Sequence, residues 1–251
     1  MGLNNKVAII TGGGSGIGRS SAIMMAQDGA KIVLVGRTKS KVDAVKQEIE
    51  AVGGIAESFG VDVADYEAVQ KMTSSVLEIF GRVDILINSA GHSSPHRKLL
   101  TTTPDELRAV VESNLMGTIF CTQAVTPSML EAEEGTIINV SSLAGVNASM
   151  LAGMAYSAAK AAVINFTAFL NAEFKNTGIR ASVVIPGEVD TPILDHRPVV
   201  PDDQARATMV TAEDTAETIR LIAALPQRTA IPELIIRPTM QRDMTGEIGV
   251  A

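Results

Sequence analysis

The chain has 251 residues, 46% of them hydrophobic and only 3% aromatic, with no tryptophan and a formal net charge of −7. That length suits one α/β domain with an aliphatic core, and the acidic balance argues against a nucleic-acid surface, which needs a basic patch. No apolar run approaches the roughly 18 residues of a membrane span, and the N-terminus shows no signal-peptide pattern. The one cysteine, Cys121, cannot form an internal disulfide. A reducing, cytoplasmic setting is therefore expected, with Cys121 an inert core thiol.

Val7–Thr11 (VAIIT) is an apolar run stopped by glycine, the pattern of a buried parallel strand. TGGGSGIG comes next, then a helical segment over 19–28 with Gly29 as its stop. Further strands are predicted over 31–35, 56–61, 83–88, 136–140, 180–185 and 233–237. Helices are predicted over 39–52 and 66–80, and from the start signal Thr103-Pro104-Asp105-Glu106 past Asn114. Another carries Tyr156, and the last begins near Thr211. Alternating strands and helices predict a doubly wound, Rossmann-like parallel sheet of about seven strands with helices on both faces. The whole chain, 1–251, reads as one domain. One segment breaks the rhythm: 192–210, with Pro198 and Pro201 among mixed charges, is expected to be a substrate lobe or lid.

The stretch AYSAAKA holds Tyr156 and Lys160, four residues apart. On a helix both side chains share one face. An ammonium beside a phenol favours the phenolate, so the pair is expected to act as a tuned proton donor and acceptor. Gly12, Gly16 and Gly18 lie between the first strand and the first helix, where a pyrophosphate can bind the helix N-terminus. Their spacing is TGxxxGxG rather than GxGxxG. The second strand ends in Gly36-Arg37-Thr38, with Lys39 and Lys41 nearby and no carboxylate. A guanidinium there suits a ribose 2′-phosphate, so NADP(H) is expected over NAD(H), which remains possible. His92, His96 and His196 show no metal-ligand spacing, and no metal is expected.

Together these motifs resemble the short-chain dehydrogenases/reductases in their common form of about this length. TGGGSGIG matches that family's cofactor turn, bringing in Ser15 and Ile17. Asp62 matches its adenine-contacting acid and Val63 the neighbour. Asn88-Ser89-Ala90-Gly91 matches NNAG with Ser89 in place of the second Asn, and Asn114 in NLMG matches the helix asparagine. Ser142 in INVSSLAG matches the catalytic serine, and Tyr156 and Lys160 match YxxxK. Pro186-Gly187, with Val189 and Thr191, matches the turn bordering the nicotinamide.

The resemblance implies hydride transfer between a nicotinamide and a carbonyl or secondary alcohol, as in ketone, alcohol or 3-oxoacyl substrates. It assigns Asn114, Ser142, Tyr156 and Lys160 to catalysis. Gly12, Ser15, Gly16, Ile17, Gly18, Arg37, Asp62, Val63, Asn88, Ala90, Gly91, Pro186, Gly187, Val189 and Thr191, with Tyr156 and Lys160, are assigned to the cofactor. It also implies a homotetramer or homodimer. The alternatives are an NAD-dependent dehydrogenase of a small secondary alcohol, an epimerase or lyase using the same site, and a nucleotide sensor without turnover. The gap from Ser142 to Tyr156 is about one residue longer than the family pattern, so the loop at Ser149, Met150 and Leu151 is expected to differ. That Met-containing loop, with the lobe from Asp195, suggests a partly apolar substrate.

Overall fold

The computed structural model describes residues 2–248. Seven strands form one parallel sheet: β1 (Val7–Thr11), β2 (Lys31–Gly36), β3 (Ile55–Gly60), β4 (Ile85–Asn88), β5 (Gly135–Val140), β6 (Ile179–Pro186) and β9 (Glu233–Ile236). Their order is β3-β2-β1-β4-β5-β6-β9. Alternate residues of a strand point to opposite faces, so Ala8 and Ile10 enter one core layer while Val7 and Ile9 enter the other. The first layer packs α1 (Gly16–Gln27), α2 (Lys39–Ala51) and α8 (Ala212–Ala224). The second packs α3 (Tyr66–Phe80), α5 (Gly117–Glu131) and α6 (Met154–Glu173), with Cys121 buried inside it.

The start signal at Thr103 folds as its chemistry dictates. The Thr103 hydroxyl accepts from the Glu106 N–H, and the Glu106 carboxylate accepts from the Thr103 N–H, opening α4 (Pro104–Val111). The helical run does continue past Asn114, as expected, but it changes its winding there. Glu112–Met116 forms a π-helical turn before α5 begins. Such turns inside helices concentrate at functional sites, and Asn114 sits within this one.

The 192–210 segment is folded. It holds a 3-10 turn (Pro192–His196), α7 (Asp203–Arg206) and β8 (Val210–Thr211), which pairs in parallel with β7 (Val189–Asp190). Arg206 clips it together, 2.7 Å from Asp190 and 2.5 Å from Asp195.

Candidate active site

The strand order reverses between β1 and β4, and a cleft opens at their carboxyl ends, the place where open α/β sheets bind ligands. Thr11 ties the two ends together, its hydroxyl accepting from the N–H groups of Ser89 and Ala90, each at 3.1 Å. Gly12 then turns with φ +68, and a Cβ there would lie 2.9 Å from the Ser89 carbonyl. Ser15 caps α1 with no side-chain hydrogen bond, and the first turn holds no acid. Its free N–H groups therefore suit an anion such as a pyrophosphate.

From this turn the cleft extends two ways. Toward β2 lies a cavity of about 180 Å³ lined by Gly36, Arg37, Thr38, Lys41, Asp62 and Val63, with Ala90, Gly91 and His92 at its inner side. These residues could hold an adenosine and its 2′ substituent. Arg37 and Lys41 are exposed. Lys39 is not available, because Asp43 and Ser58 bind its ammonium. His92 faces this cavity rather than the substrate side, and its ring nitrogen lies 2.8 Å from the Ser113 hydroxyl. Burial and then the Arg37 charge depress its pKa, and both residues line this cavity. His96 is exposed and bound to Glu106.

Toward α6 lies a second cavity of about 230 Å³. Ser142 enters from the turn after β5, Tyr156 and Lys160 from α6, and Asn114 from the π turn; Pro186, Gly187, Val189 and Thr191 close the β6 side. The helix is seated by Ser141, whose hydroxyl donates to the Lys160 carbonyl at 2.8 Å. Lys160 is 5% exposed; its ammonium donates to the Val140 carbonyl at 2.9 Å and sits 5.5 Å from the centre of the Tyr156 ring. The Asn114 amide donates to the carbonyls of His92 and Val110 at 2.8 and 2.9 Å. Its Oδ1 is buried with no protein partner, and a side chain at Gly91 would collide with it.

Electrostatics differ from the expectation of a phenol lowered by its lysine. Burial pushes the Tyr156 phenol up to about 12, while the Ser142 hydroxyl and then the Arg197 and Arg97 guanidiniums pull it back. Burial also brings Lys160 down to about 8. The lysine is not among the groups that lower the phenol. In the ligand-free protein the opposing charge on Tyr156 thus comes from two arginines that sequence reading missed. Arg97 sits in a polar loop, HSSPHRK, and nothing in its local pattern marked it.

Of the residues expected at the site, two line neither cavity. A Cβ on Gly18 would lie 2.5 Å from the Gly12 carbonyl, so its role is to let α1 pack on the turn. Asn88 is buried, and its amide donates to Asn139 at 2.9 Å, which in turn donates to Thr167 of α6 at 2.9 Å. It ties α6 to the sheet instead of facing the cleft. The apolar part of the wall comes from the 192–210 segment, through Pro192, Ile193 and Leu194, and not from Met150, which is 58% exposed; the loop before α6 contributes Ala152, beside Ser93 and Arg97.

The short chain dehydrogenase family model matches residues 6–198. An uncharacterised oxidoreductase of Staphylococcus aureus (strain USA300) is 34% identical over 236 residues, covering 94% of this chain and 98% of that one. A metagenomic short-chain oxidoreductase solved in complex with NADP superposes with a TM-score of 0.82 at 32% identity, over 95% of this chain and 99% of that one. The closed form of a serine dehydrogenase complexed with NADP+ gives 0.86 at 27% identity, over 94% and 96%. The chain therefore belongs to the short-chain dehydrogenase family and is an oxidoreductase, an enzyme working between CH–OH and C=O.

Proposed function

We propose that this enzyme transfers hydride between a nicotinamide dinucleotide, NADP(H) in preference to NAD(H), and a small carbonyl compound or secondary alcohol, with Tyr156 moving the proton. One observation carries the reading: Ser142, Tyr156, Lys160 and Asn114, drawn from three elements, line one cleft continuous with the uncapped N-terminus of α1. NADP is bound in two of the similar structures. The nicotinamide supplies or receives the hydride when bound. Tyr156 gives its proton to the carbonyl oxygen in reduction and takes one in oxidation. Ser142 hydrogen-bonds the same oxygen as charge develops on it. Lys160 holds the nicotinamide ribose, and the unpartnered Asn114 Oδ1 suits a water that relays protons from Lys160. The folded 192–210 segment serves as the lid over the substrate side, since Pro192, Leu194 and Arg197 line that cavity.

The test is absorbance at the reduced-nicotinamide band with a panel of ketones and secondary alcohols, using both cofactors. Turnover by the wild type supports the reading. Tight cofactor binding with no turnover across the panel would instead make the chain a nucleotide sensor.

Assembly is part of the same proposal. Along α6, Ala161, Asn165, Ala168, Phe169 and Ala172 are exposed, with Phe169 at 57%. Their spacing forms one stripe on the outer face. A homotetramer or homodimer would cover it. Light scattering at micromolar concentration should give a multiple of 26.3 kDa; a species of that single mass would overturn the assembly proposal.

A further inference from the structure

Arg97 lends charge to Tyr156, but hydride transfer gives its guanidinium no ligand of its own. It lies in the loop after β4, is 5% exposed, and lines the cavity that holds Tyr156. Its Nε donates to the Ser94 carbonyl at 3.1 Å and its Nη1 to the Leu151 carbonyl. The side chain packs on Gly153, where a Cβ would come within 2.9 Å of it. Two loops therefore hold the guanidinium in place, one of them the loop before α6. All of these contacts are to backbone. Among the described residues no carboxylate pairs with Arg97, and its charge is felt at Tyr156.

An uncompensated buried charge is expensive, and proteins retain one chiefly where function needs it. Burial lowers the Arg97 pKa only to about 10, so it remains a cation at neutral pH. The other charges on this wall cancel. Arg197 and Arg242 face Glu188 at 2.7 and 2.8 Å, and Glu247 completes the cluster, giving two cations against two anions. Lys160 is the other buried cation of this cavity; its ammonium donates to the Val140 carbonyl, and under the hydride-transfer reading it already holds the nicotinamide ribose. Arg97 is thus the cation left for an incoming group.

We infer that Arg97 binds a carboxylate on the substrate, so that the enzyme interconverts short hydroxy acids and the corresponding oxo acids. This rests on the hydride-transfer reading of the cleft. A guanidinium presents planar N–H pairs that match carboxylate geometry. Arg97 and Tyr156 line the same cavity of about 230 Å³, so one small molecule can meet both. In oxidation the carbinol C–H leaves as hydride to NAD(P)+, the O–H proton passes to the Tyr156 oxygen, and the carbinol becomes a ketone or aldehyde. The carboxylate is unchanged and serves only to orient.

The test pairs 3-hydroxybutyrate and 2-hydroxybutyrate with their methyl esters, which remove that charge at the cost of one added methyl group. At least one acid should exceed its ester in kcat/KM by about tenfold or more. Unreactive butyrate should bind the NADP-loaded wild type in calorimetry and compete with the acid. In Arg97→Met the acid-to-ester ratio should collapse and butyrate binding should disappear, while Arg97→Lys should restore part of both. Should Arg97→Met fail to fold, the wild-type ratio and butyrate competition still decide. Esters and neutral alcohols turned over as well as the acids, with no butyrate binding, would overturn the carboxylate site and leave hydride transfer standing. Butyrate binding that depends on Arg97, with no turnover of any alcohol or ketone, would support the site and sink the redox reading instead.

Discussion

Tyr156→Phe is expected to lower kcat by about 10²–10⁴-fold, the usual contribution of a positioned general acid. The variant keeps the ring, its packing on α6 and its contact with Lys160, so the fold and cofactor affinity should hold. The pH dependence gives a second readout. In oxidation the phenolate must accept the proton, so wild-type kcat/KM should rise with pH toward the phenol's pKa. In the ligand-free protein burial sets that pKa at about 12, against the pull of Ser142, Arg197 and Arg97. Positive charge gained with the oxidised nicotinamide acts in the same direction as those arginines, so the rise should begin well below that value. In the Phe variant the rise should flatten. Turnover near the wild-type rate, or an unchanged pH profile, would remove Tyr156 from the proton-transfer role.

Much of this architecture was legible because it rests on local signals. The apolar run VAIIT before glycines marked β1, and Thr103-Pro104-Asp105-Glu106 marked the start of α4 down to the reciprocal cap. What escaped depends on contacts between segments distant in sequence. The π turn at Asn114 reflects how that residue's amide reaches the carbonyl of His92, on another loop. Asn88 looked like a ligand contact by motif, yet its partner is Asn139, 51 residues on. The tuning of Tyr156 was assigned to the lysine one helical turn away. The charges that act on the buried phenol come from Arg197 and Arg97, in loops that carry no periodic pattern. The substrate side was read as partly apolar from the loop at Met150 to Met154 and the lobe that follows; Met150 is exposed, and that loop presents the Leu151 carbonyl to Arg97. Short polar loops are where sequence pattern carries least information and where binding residues concentrate.

Arg37→Ala is expected to weaken NADPH binding while leaving NADH nearly unchanged. The chain has no carboxylate at the end of β2, so nothing there repels a 2′-phosphate or favours a bare ribose hydroxyl. Arg37 lines the cavity next to Gly36, and its charge is felt at His92, which lines the same cavity. His92, with its pKa depressed, adds no charge of its own at neutral pH. Asp62 contributes one negative charge against two positive ones from Arg37 and Lys41. The balance favours an anion at this end. A charged hydrogen bond contributes about 1.5–3 kcal/mol, which corresponds to roughly a 10- to 150-fold preference for NADPH. Arg37 is exposed, so screening by salt draws the value toward the lower end. Lys41 retains part of the field in the Arg37→Ala protein, and the double variant with Lys41→Ala should lose the remaining preference. The deciding measurement is kcat/KM for both cofactors with one substrate at two salt concentrations. The preference should shrink as salt rises and vanish in the double variant. Equal values in the wild type, or a preference for NADH, would show that these two cations do not contact the 2′ position.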